Sequence, residues 1–560
     1  MLKAPTPRSF LMAFSFIMLL FPLLSACGAS GSGTSQSSTP VKGGTWIDDV
    51  YQEPSSFITN GPSFDAFAVN QTLWAPLFYG DSQGAIHPGL VTEIPTVANG
   101  DISADLKTWT FKLRPGLLWS DGQPLNADDV DFSWKLWTNP KFPAASTIGF
   151  NLITSAEVAT DKLSITFHLS APFSPFISIW TDGFVAPLPK HHFAGIAPDK
   201  ILNTPDNLNP SVTSGPFMMS ESKPGDHYTL VRNPHYYRAS EGLPYLDKLV
   251  LRIVPNLDTV LKDLQAGSVT SAYRLDVTKR PTYEQLTNYH LVHAPFSGSY
   301  ENIYFDFHNP ILGKELTVRK AIAMAIDHQA LINTALRGVG SPQCTDHSKA
   351  YNPGYQADAP CPTFDPAAAS ALLEQNGWTK GPDGVRTKGD QRLEFQYSAA
   401  SGNPTVTVAE EIIQANLQAI GIKINIHNYP SSTLDEIQAA GKPGQYDIVQ
   451  FGNLYDYDAD DANSLSCSQF PPNGYNTTFY CNPALDKLYA QEEATTDPAA
   501  RQQIFNQIHQ IYLTDFPIII LYGKFNLGIA KKTTRNFLPG PFSTGDTVNV
   551  WDWWCDGGHC

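Results

Sequence analysis

A run of alternating apolar and polar residues lies near the middle of the chain, from Tyr300 to Phe307. This alternation predicts a strand with one buried face. Apolar residues then recur at helical spacing over 316–326, and Asp327 has the side chain to cap a second helix. Mixed helix and strand patterns lie on both sides of this run. We therefore predict two lobes, joined at a strand, with a cleft beside the hinge.

The first half of the chain shows the same mixture of patterns. Four apolar residues share a helical face at 69–77, after a turn-rich loop. Trp109 and Phe111 alternate with polar residues as in a strand, and Asn126 is placed to cap the helix that follows. Regular structure is predicted to begin near Gly43.

Length and composition limit the class of protein. A chain of 560 residues exceeds one core, so two or three domains are expected. Hydrophobic residues make up 42% and aromatic residues 12%, which is ample for packed cores. Charged residues are only 16%, and the net charge is −16. This balance argues against binding to nucleic acid, which needs a basic face, and it fits an extracytoplasmic protein.

The N-terminus has the pattern of an export signal. Two basic residues precede an apolar run at 10–24. This run is shorter than a typical transmembrane helix. Small residues then lead to Cys27, as in the lipobox of bacterial lipoprotein signals. That resemblance implies a signal peptide over 1–26 and lipid on the Cys27 thiol; an ordinary signal with a chance cysteine is the alternative. A Gly/Ser/Thr-rich tether over 27–42 would follow.

The other cysteines predict disulfides. Without Cys27 the count is six, an even number that suits an oxidising compartment. The simplest spacing pairs neighbours: Cys344 with Cys361, Cys467 with Cys481, and Cys555 with Cys560. A metal site that uses Cys555, His559 and Cys560 is the alternative, but it lacks a second ligand pair at finger spacing.

Eight segments point to one family. Each is weak alone, but they follow one another in the family's order; they lie at 87–91 with 107–122, 214–217, 233–237, 246–255, 264–267, 318–327, 371–378 and 446–448. In these segments the chain resembles the extracellular solute-binding proteins, family 5, of peptide and nickel ABC transporters. The resemblance runs along nearly the whole mature chain.

This resemblance implies an α/β periplasmic-binding-protein fold of the Venus-flytrap type, with a third domain inserted in lobe I. The implied segments are lobe I at 43–78, 170–295 and 522–560, the inserted domain at 79–169, and lobe II at 296–521. The hinge strand at 300–307 then lies just past the first crossover into lobe II. The very apolar run at 517–522 would be the strand that crosses back, buried on both faces. Tryptophans at 551, 553 and 554 are expected to anchor the tail on lobe I rather than form a sugar platform.

The resemblance also implies a ligand site. Asp456 falls where peptide-binding members place the aspartate that receives the ligand's α-amino group, and a loop near Gly61 would run along the peptide main chain. The implied site residues are Gly61, Ser63, Phe64, Phe451, Gly452, Asn453, Leu454, Tyr455 and Asp456. An ammonium taken into a closed cleft needs a nearby carboxylate, because desolvation otherwise defeats binding. A solvated loop acid is the simpler interpretation of Asp456.

Two departures from the family pattern affect the choice of ligand. Asn453 stands where Trp is common, and Tyr455 stands where a small residue is common. Dipeptide binders place Arg and Tyr before an Asn-Pro pair to hold the ligand's carboxylate, but here Ala400 and Gly402 precede Asn403. A dedicated dipeptide site is therefore not expected, and a longer peptide fits better.

We therefore expect a monomeric, lipid-anchored receptor that captures oligopeptides outside the membrane and delivers them to ABC permease subunits, without cofactor, metal or nucleic acid. An oligosaccharide, a nickel chelate or another solute is the alternative within the same role. A secreted hydrolase that uses Asp456 and Asp458 is the alternative from another class, but no catalytic motif supports it. The run 456–461 begins like a calcium loop, yet it lacks the Gly and Glu that such loops require.

The lipobox makes the first testable prediction. Cys27→Ala should release the protein from the membrane fraction, because the thiol that carries the lipid is gone. Cell fractionation followed by immunoblotting measures the change. A variant that stays membrane-bound to the wild-type extent would contradict the lipidation.

Overall fold

The computed structural model describes residues 39–61, 67–351, 353–357, 359, 361–440, 444–471, 474–541 and 545–560. The chain from Pro40 to Cys560 forms one unit. The predicted signal peptide, Cys27 and most of the tether lie outside the described residues. Across the described ranges, no helix combines the length and the apolar character needed to span a bilayer.

The strands in these ranges are mostly short. They are β1 Thr45–Val50, β2 Phe78–Gly80, β3 Ile86–Pro88, β4 Thr108–Lys112, β5 Ile153–Val158, β6 Ser164–Leu169, β7 Phe217–Lys223, β8 His227–Arg232, β9 Lys248–Ile253, β10 Ser271–Ala272, β11 Tyr289–Val292, β12 Ser299–Phe305, β13 Gly340–Ser341, β14 Thr379–Lys380, β15 Arg386–Lys388, β16 Gln391–Arg392, β17 Glu394–Ser398, β18 Lys423–Ile426, β19 Ile448–Leu454, β20 Ile518–Lys524, β21 Gly528–Lys531, β22 Thr534–Arg535 and β23 Trp554–Cys555.

The helices are longest in the second half of the chain. They are α1 Phe67–Leu73, α2 Ala127–Trp137, α3 Lys190–Phe193, α4 Leu257–Ala266, α5 Arg280–Tyr283, α6 Leu316–Ala325, α7 His328–Thr334, α8 Pro366–Gln375, α9 Pro404–Ala419, α10 Ser431–Ala440, α11 Ala462–Leu465, α12 Pro483–Glu493 and α13 Pro498–Asp515.

Two large mixed sheets form the two lobes. The lobe I sheet has seven strands in the order β11-β21-β10-β1-β9-β8-β7, which come from three separate parts of the chain. The lobe II sheet has six strands in the order β13-β20-β12-β19-β17-β18, all between residues 299 and 524. A small sheet, β4-β6-β5, lies in the segment predicted as the inserted domain. The protein therefore has the two-lobed α/β fold of the Venus-flytrap type.

The strands β12 and β20 lie side by side where the chain passes between the lobes. They are antiparallel, and Ile303 is paired with Ile519. The strand predicted at 300–307 is present as β12, Ser299–Phe305, but the prediction of a single buried face is wrong, because nearly every residue of β12 is buried. Residues 518–521 are all buried, as predicted for a strand covered on both faces. β20 continues to Lys524, so the predicted segment boundary after residue 521 falls within this strand.

Local capping follows the sequence prediction at two helices. Asp327 Oδ1 accepts a hydrogen bond from the backbone N–H of Ala330 at 2.9 Å, at the start of α7. At α2, Asn126 Oδ1 accepts from the N–H of Asp128 at 2.9 Å, and Asp129 Oδ2 accepts from the N–H of Asn126 at 2.9 Å. These bonds satisfy N–H groups that have no partner within the helix, which sets where each helix begins.

The C-terminal tryptophans anchor the tail in the lobe I core. Trp553 is fully buried, with its ring centroid 4.6 Å from that of Trp46 on β1 and 4.9 Å from that of Phe537. Trp551 and Trp554 are also buried. The predicted anchoring role is confirmed, since none of the three presents an open aromatic face for a sugar ring.

All three predicted disulfides are present. The Cα atoms are 5.3 Å apart in Cys344–Cys361, 4.7 Å in Cys467–Cys481 and 5.3 Å in Cys555–Cys560. The alternative metal site at Cys555 and Cys560 is therefore wrong, because a disulfide consumes both thiolates that would bind the ion.

We predict that the longer disulfide loops contribute more stability than the shortest one. Replacing Cys467 and Cys481 by Ser removes a link of sequence separation 14 and should lower the free energy of unfolding by about 3 kcal/mol. The matched removal of Cys555–Cys560, of separation 5, should cost about 2 kcal/mol. Denaturant unfolding measures both values, and non-reducing peptide mapping checks the links. Free thiols in the wild-type chain would contradict the pairing.

Candidate ligand-binding site

A cavity of about 200 Å³ lies between segments of lobe I and the predicted inserted domain on one side and the loop that follows β19 on the other. One wall comes from Asn60 and from residues 145–150 and 173–185, and the other comes from residues 456–463. The side chains mix apolar and acidic groups: Phe150, Phe173, Pro175, Ile179, Phe184, Asp182, Asp456, Asp458 and Asp460. Such a concave, mainly apolar space with a few converging polar groups is typical of a small-ligand site.

Asn60 holds the lobe I wall together. Its side-chain Nδ2 donates to the carbonyl of Ser146 at 2.8 Å, and its Oδ1 accepts from the Ser146 N–H at 3.2 Å. Its backbone N–H donates to the Phe184 carbonyl at 2.6 Å. The predicted site residue Gly61 comes next and is buried; a Cβ there would lie 2.8 Å from the Ile58 carbonyl oxygen, so the turn requires glycine. Ser63 and Phe64 lie outside the described residues.

Asp182 places a buried carboxyl in the lobe I wall. Its side chain is 4% exposed, and its Oδ1 accepts from the N–H of Phe184 at 2.7 Å. Its φ of 89° is unusual for a residue other than glycine and indicates local backbone strain. Burial raises the pKa of this carboxyl well above its usual value, and the charge of Asp456 adds to that shift.

Asp456 faces the same cavity from lobe II. Its side chain is exposed to the cavity, and enclosure by the walls disfavours the charged form. This desolvation, with the nearby carboxylates of Asp458 and Asp460, raises the pKa of Asp456 to about 6. Within the described ranges, no basic side chain forms an ion pair with it. Asp456 is therefore a cavity-facing carboxyl that no described lysine, arginine or histidine pairs.

Asp458 differs because Arg501 neutralises it. The Arg501 guanidinium donates to its two carboxylate oxygens at 2.7 and 2.5 Å, and it also donates to Glu492 on α12. Such bidentate pairing is strong and geometrically specific. Asp458 is therefore not a second free carboxyl for the hydrolytic pair considered from the sequence, and Asp456 is a carboxyl of this wall that no described arginine or lysine pairs.

The other predicted lobe II residues do not contribute to the wall of this cavity. Phe451, Gly452, Asn453 and Leu454 belong to β19, which pairs with β12, and buried Tyr455 follows directly. Asn453 Nδ2 donates to Asn302 Oδ1 at 2.8 Å and to the Tyr304 hydroxyl at 2.6 Å. The Tyr455 hydroxyl contacts Gln343. These bonds hold the strand whose end carries Asp456.

Sequence reasoning missed the lobe I side of the cavity. The residues at 145–150 and 173–185 were assigned no role, although they supply most of the wall. One signal was available at 176–185, where Asp182 is the single charged residue in a mainly apolar run. An isolated acid in such a segment is unusual, because burying it costs free energy.

Two α/β lobes, two adjacent crossing strands and a cavity between wall segments of both lobes define a two-lobed solute-binding protein. The chain belongs to the bacterial extracellular solute-binding proteins, family 5, whose profile matches residues 85–475. It is therefore an exported protein of a solute-binding transport family, not of an enzyme family.

Relatives cover most of the chain. The oligopeptide-binding protein AppA of Bacillus subtilis is 25% identical over 98% of this chain and 99% of its own length. The nickel-binding periplasmic protein of Escherichia coli is 25% identical over 78% of this chain and 80% of its own. The solved structure of Bacillus subtilis AppA with a nonapeptide has a TM-score of 0.75 at 23% identity, covering 92% of this chain and 100% of that one. That likeness supports the fold.

The raised pKa of Asp456 gives a direct prediction. Carboxyl-carbon NMR of labelled aspartate should show a titration with a midpoint near pH 6 that is absent from Asp456→Asn. Because the folded chain holds this proton more tightly than the unfolded chain, wild-type stability should fall as the pH rises from the ordinary aspartate value to about 6, and the loss is complete above pH 6. Asp456→Asn cannot ionise and should lack this fall, so its stability relative to the wild type should be higher at pH 7.5 than at pH 4. A midpoint near the ordinary value for aspartate would contradict the assignment.

Proposed function

We propose that this protein is the receptor of an ABC importer that captures oligopeptides with a free amino terminus and delivers them to permease subunits. It acts as a monomer, tethered through lipid on Cys27 to the outer face of the cytoplasmic membrane. The observation that carries the peptide assignment is Asp456, a cavity-facing carboxylate without a described basic partner. An oligopeptide supplies the missing cation as its α-ammonium group.

Electrostatics favours an ammonium over a neutral ligand. A cation enclosed between the lobes loses hydration, and a close carboxylate must compensate for that loss. Asp456 supplies the charge from lobe II, while the buried carboxyl of Asp182 lies on the opposite wall. The apolar surfaces of Phe150, Phe173 and Ile179 accept varied side chains without polar selection. The relative from Bacillus subtilis, AppA, is an oligopeptide-binding protein, which agrees with this ligand class.

The length of the ligand follows from the far end of the site. Asn403 is not preceded by the Arg and Tyr that would hold a dipeptide's carboxylate. Its side-chain Oδ1 instead accepts from the N–H of Thr405 at 3.0 Å and caps α9. We therefore assign peptides longer than two residues, whose carboxyl end lies away from this position.

The alternative solutes have weaker support. The relative from Escherichia coli is a nickel-binding protein, and this is the observation that favours a nickel chelate. Among the described residues that line the cavity, none is a histidine, the commonest transition-metal ligand, and none is a tryptophan that could stack on a sugar. Mass spectrometry of ligand co-purified with the mature protein separates peptide, sugar and chelate directly.

Asp456→Asn is the sharpest test of peptide binding. The substitution keeps the shape of the side chain and removes its charge, so the peptide ammonium loses its counter-ion. Affinity for a free-amino-terminal oligopeptide should fall by roughly 2–5 kcal/mol, about 30-fold or more, mostly through faster release. Calorimetry on ligand-stripped protein at pH 7.5 measures this change.

Two controls sharpen the test. Asp390→Asn removes an equal charge from an exposed lobe II turn and should leave affinity unchanged. An N-acetylated version of the same peptide should bind the wild type poorly and should discriminate little between the wild type and Asp456→Asn. Equal, wild-type affinity of Asp456→Asn for the free and acetylated peptides would reject the assignment of the ammonium to Asp456.

A further inference from the structure

A second cluster of polar side chains is buried in lobe II, outside the residues that line the ligand cavity. Asp346 and His347 lie on the loop closed by the Cys344–Cys361 disulfide, and His509 lies on α13. The exposed fractions of the three side chains are 2%, 3% and 0%. The ligand assignment does not use these groups, and burying them together costs free energy unless they share a partner.

The spacing of these groups fits one small cation. His509 Nε2 lies 3.5 Å from Asp346 Oδ1, and His347 Nε2 lies 3.7 Å from the same oxygen. One ligand atom from each residue lies within 4.8 Å of the others. Two atoms bound tetrahedrally to one zinc ion at about 2.0–2.2 Å are roughly 3.3–3.6 Å apart.

Several polar atoms of this cluster lack a described hydrogen-bond partner. Asp346 has no backbone N–H, lysine or arginine as a described partner; its polar neighbours are the Asp461 carboxyl and the His509 ring, and His509 Nδ1 has no described partner. Unpaired polar atoms at this depth are rare, and each calls for a ligand or a proton. Their convergence is the observation that distinguishes this cluster from an ordinary packed histidine.

The local charge points the same way. Asp461, at the start of α11, is half-buried and lies beside Asp346. Within the described chain, neither carboxyl forms an ion pair with a lysine or arginine. Two carboxyls therefore share a site that has only imidazoles for partners. A shared proton or a bound cation can compensate them.

The surroundings hold the histidine ligands in place. His347 Nδ1 lies 3.1 Å from the Gly354 carbonyl, a contact that, when Nδ1 donates, leaves the lone pair of Nε2 free. The Gly354 N–H donates to Gln502 Oε1 on α13 at 2.9 Å, which ties the loop to the helix. The ring of His347 also packs edge-on against Phe505, with centroids 4.9 Å apart. Preorganised ligands of this kind lower the cost of capturing an ion.

We propose that Asp346, His347 and His509 bind one divalent first-row transition ion of the zinc class. Two imidazoles with a carboxylate suit such ions, whereas calcium and magnesium prefer oxygen ligands alone. The ion joins the loop 344–361 to α13 and, through neighbouring Asp461, supports the cavity wall at 456–463. This role is structural and is separate from solute binding at Asp456. Residues up to 163 positions apart in the chain form the site, which explains why no sequence motif predicts it.

Metal content tests the proposal. Untagged wild-type protein, refolded with zinc and then dialysed, should contain about one zinc per chain by mass spectrometry and should melt about 2–5 °C higher than the chelator-treated chain. His509→Gln should lose both the zinc and the shift. His328→Gln is the matched control, since His328 is a half-buried lobe II histidine that bonds the Leu521 carbonyl, and this variant should keep both. Asp456→Asn should also keep both.

Other results of these experiments would contradict an ion bound at Asp346, His347 and His509. Wild-type protein without zinc above background and without a melting shift would mean that Asp346 and Asp461 share a proton instead. Equal zinc in wild type and His509→Gln would place the ion elsewhere. If His509→Gln fails to fold, cobalt titration of the wild type decides the question. A visible d–d absorption that saturates at one equivalent and is displaced by zinc supports the site, and its absence overturns it.

Discussion

The connection between the lobes is made by two pairs of adjacent antiparallel strands. β11 pairs with β21 in the lobe I sheet, and β12 pairs with β20 in the lobe II sheet. The short segments 293–298 and 525–527 between them must therefore run side by side, and the Gly298 N–H donates to the Lys524 carbonyl at 3.0 Å. Because both crossings share this narrow path, the lobes can change their separation while each sheet stays intact.

Charge within the cavity is distributed unequally. Arg501 neutralises Asp458 and bonds Glu492, so these acids brace α12 and α13 against the loop. Asp456, two residues before Asp458, has no described basic partner. A binding site needs this asymmetry, since an acid already paired inside the protein would have to break that pair before it could hold a ligand. The same reasoning applies to the buried cluster at Asp346, where carboxyls lack a basic partner and two imidazoles complete the ligand set.

Much of the fold could be predicted because its signals are local. The alternation at 300–307, the helical spacing after Leu316 and the capping side chains of Asn126 and Asp327 depend on neighbours within a few residues. The disulfides followed from spacing because each link closes a short loop. Asp456 was proposed because a family resemblance placed it in the site, and the ligand-binding role of Asp456 and of Phe451–Tyr455 stays a prediction; Phe451–Leu454 lie on β19.

The sequence by itself determined the two-lobed α/β class, and it indicated the simplest disulfide pairing and the loop that carries Asp456. Only the tertiary structure decided what faces that loop. Asp182 and the apolar residues at 145–150 meet Asp456 through the relative placement of the two lobes, which no local pattern encodes. The same holds for His509 and Asp346, which are distant in sequence and adjacent in space. Periodicity reports which face of an element is buried, but it does not report which distant element covers that face.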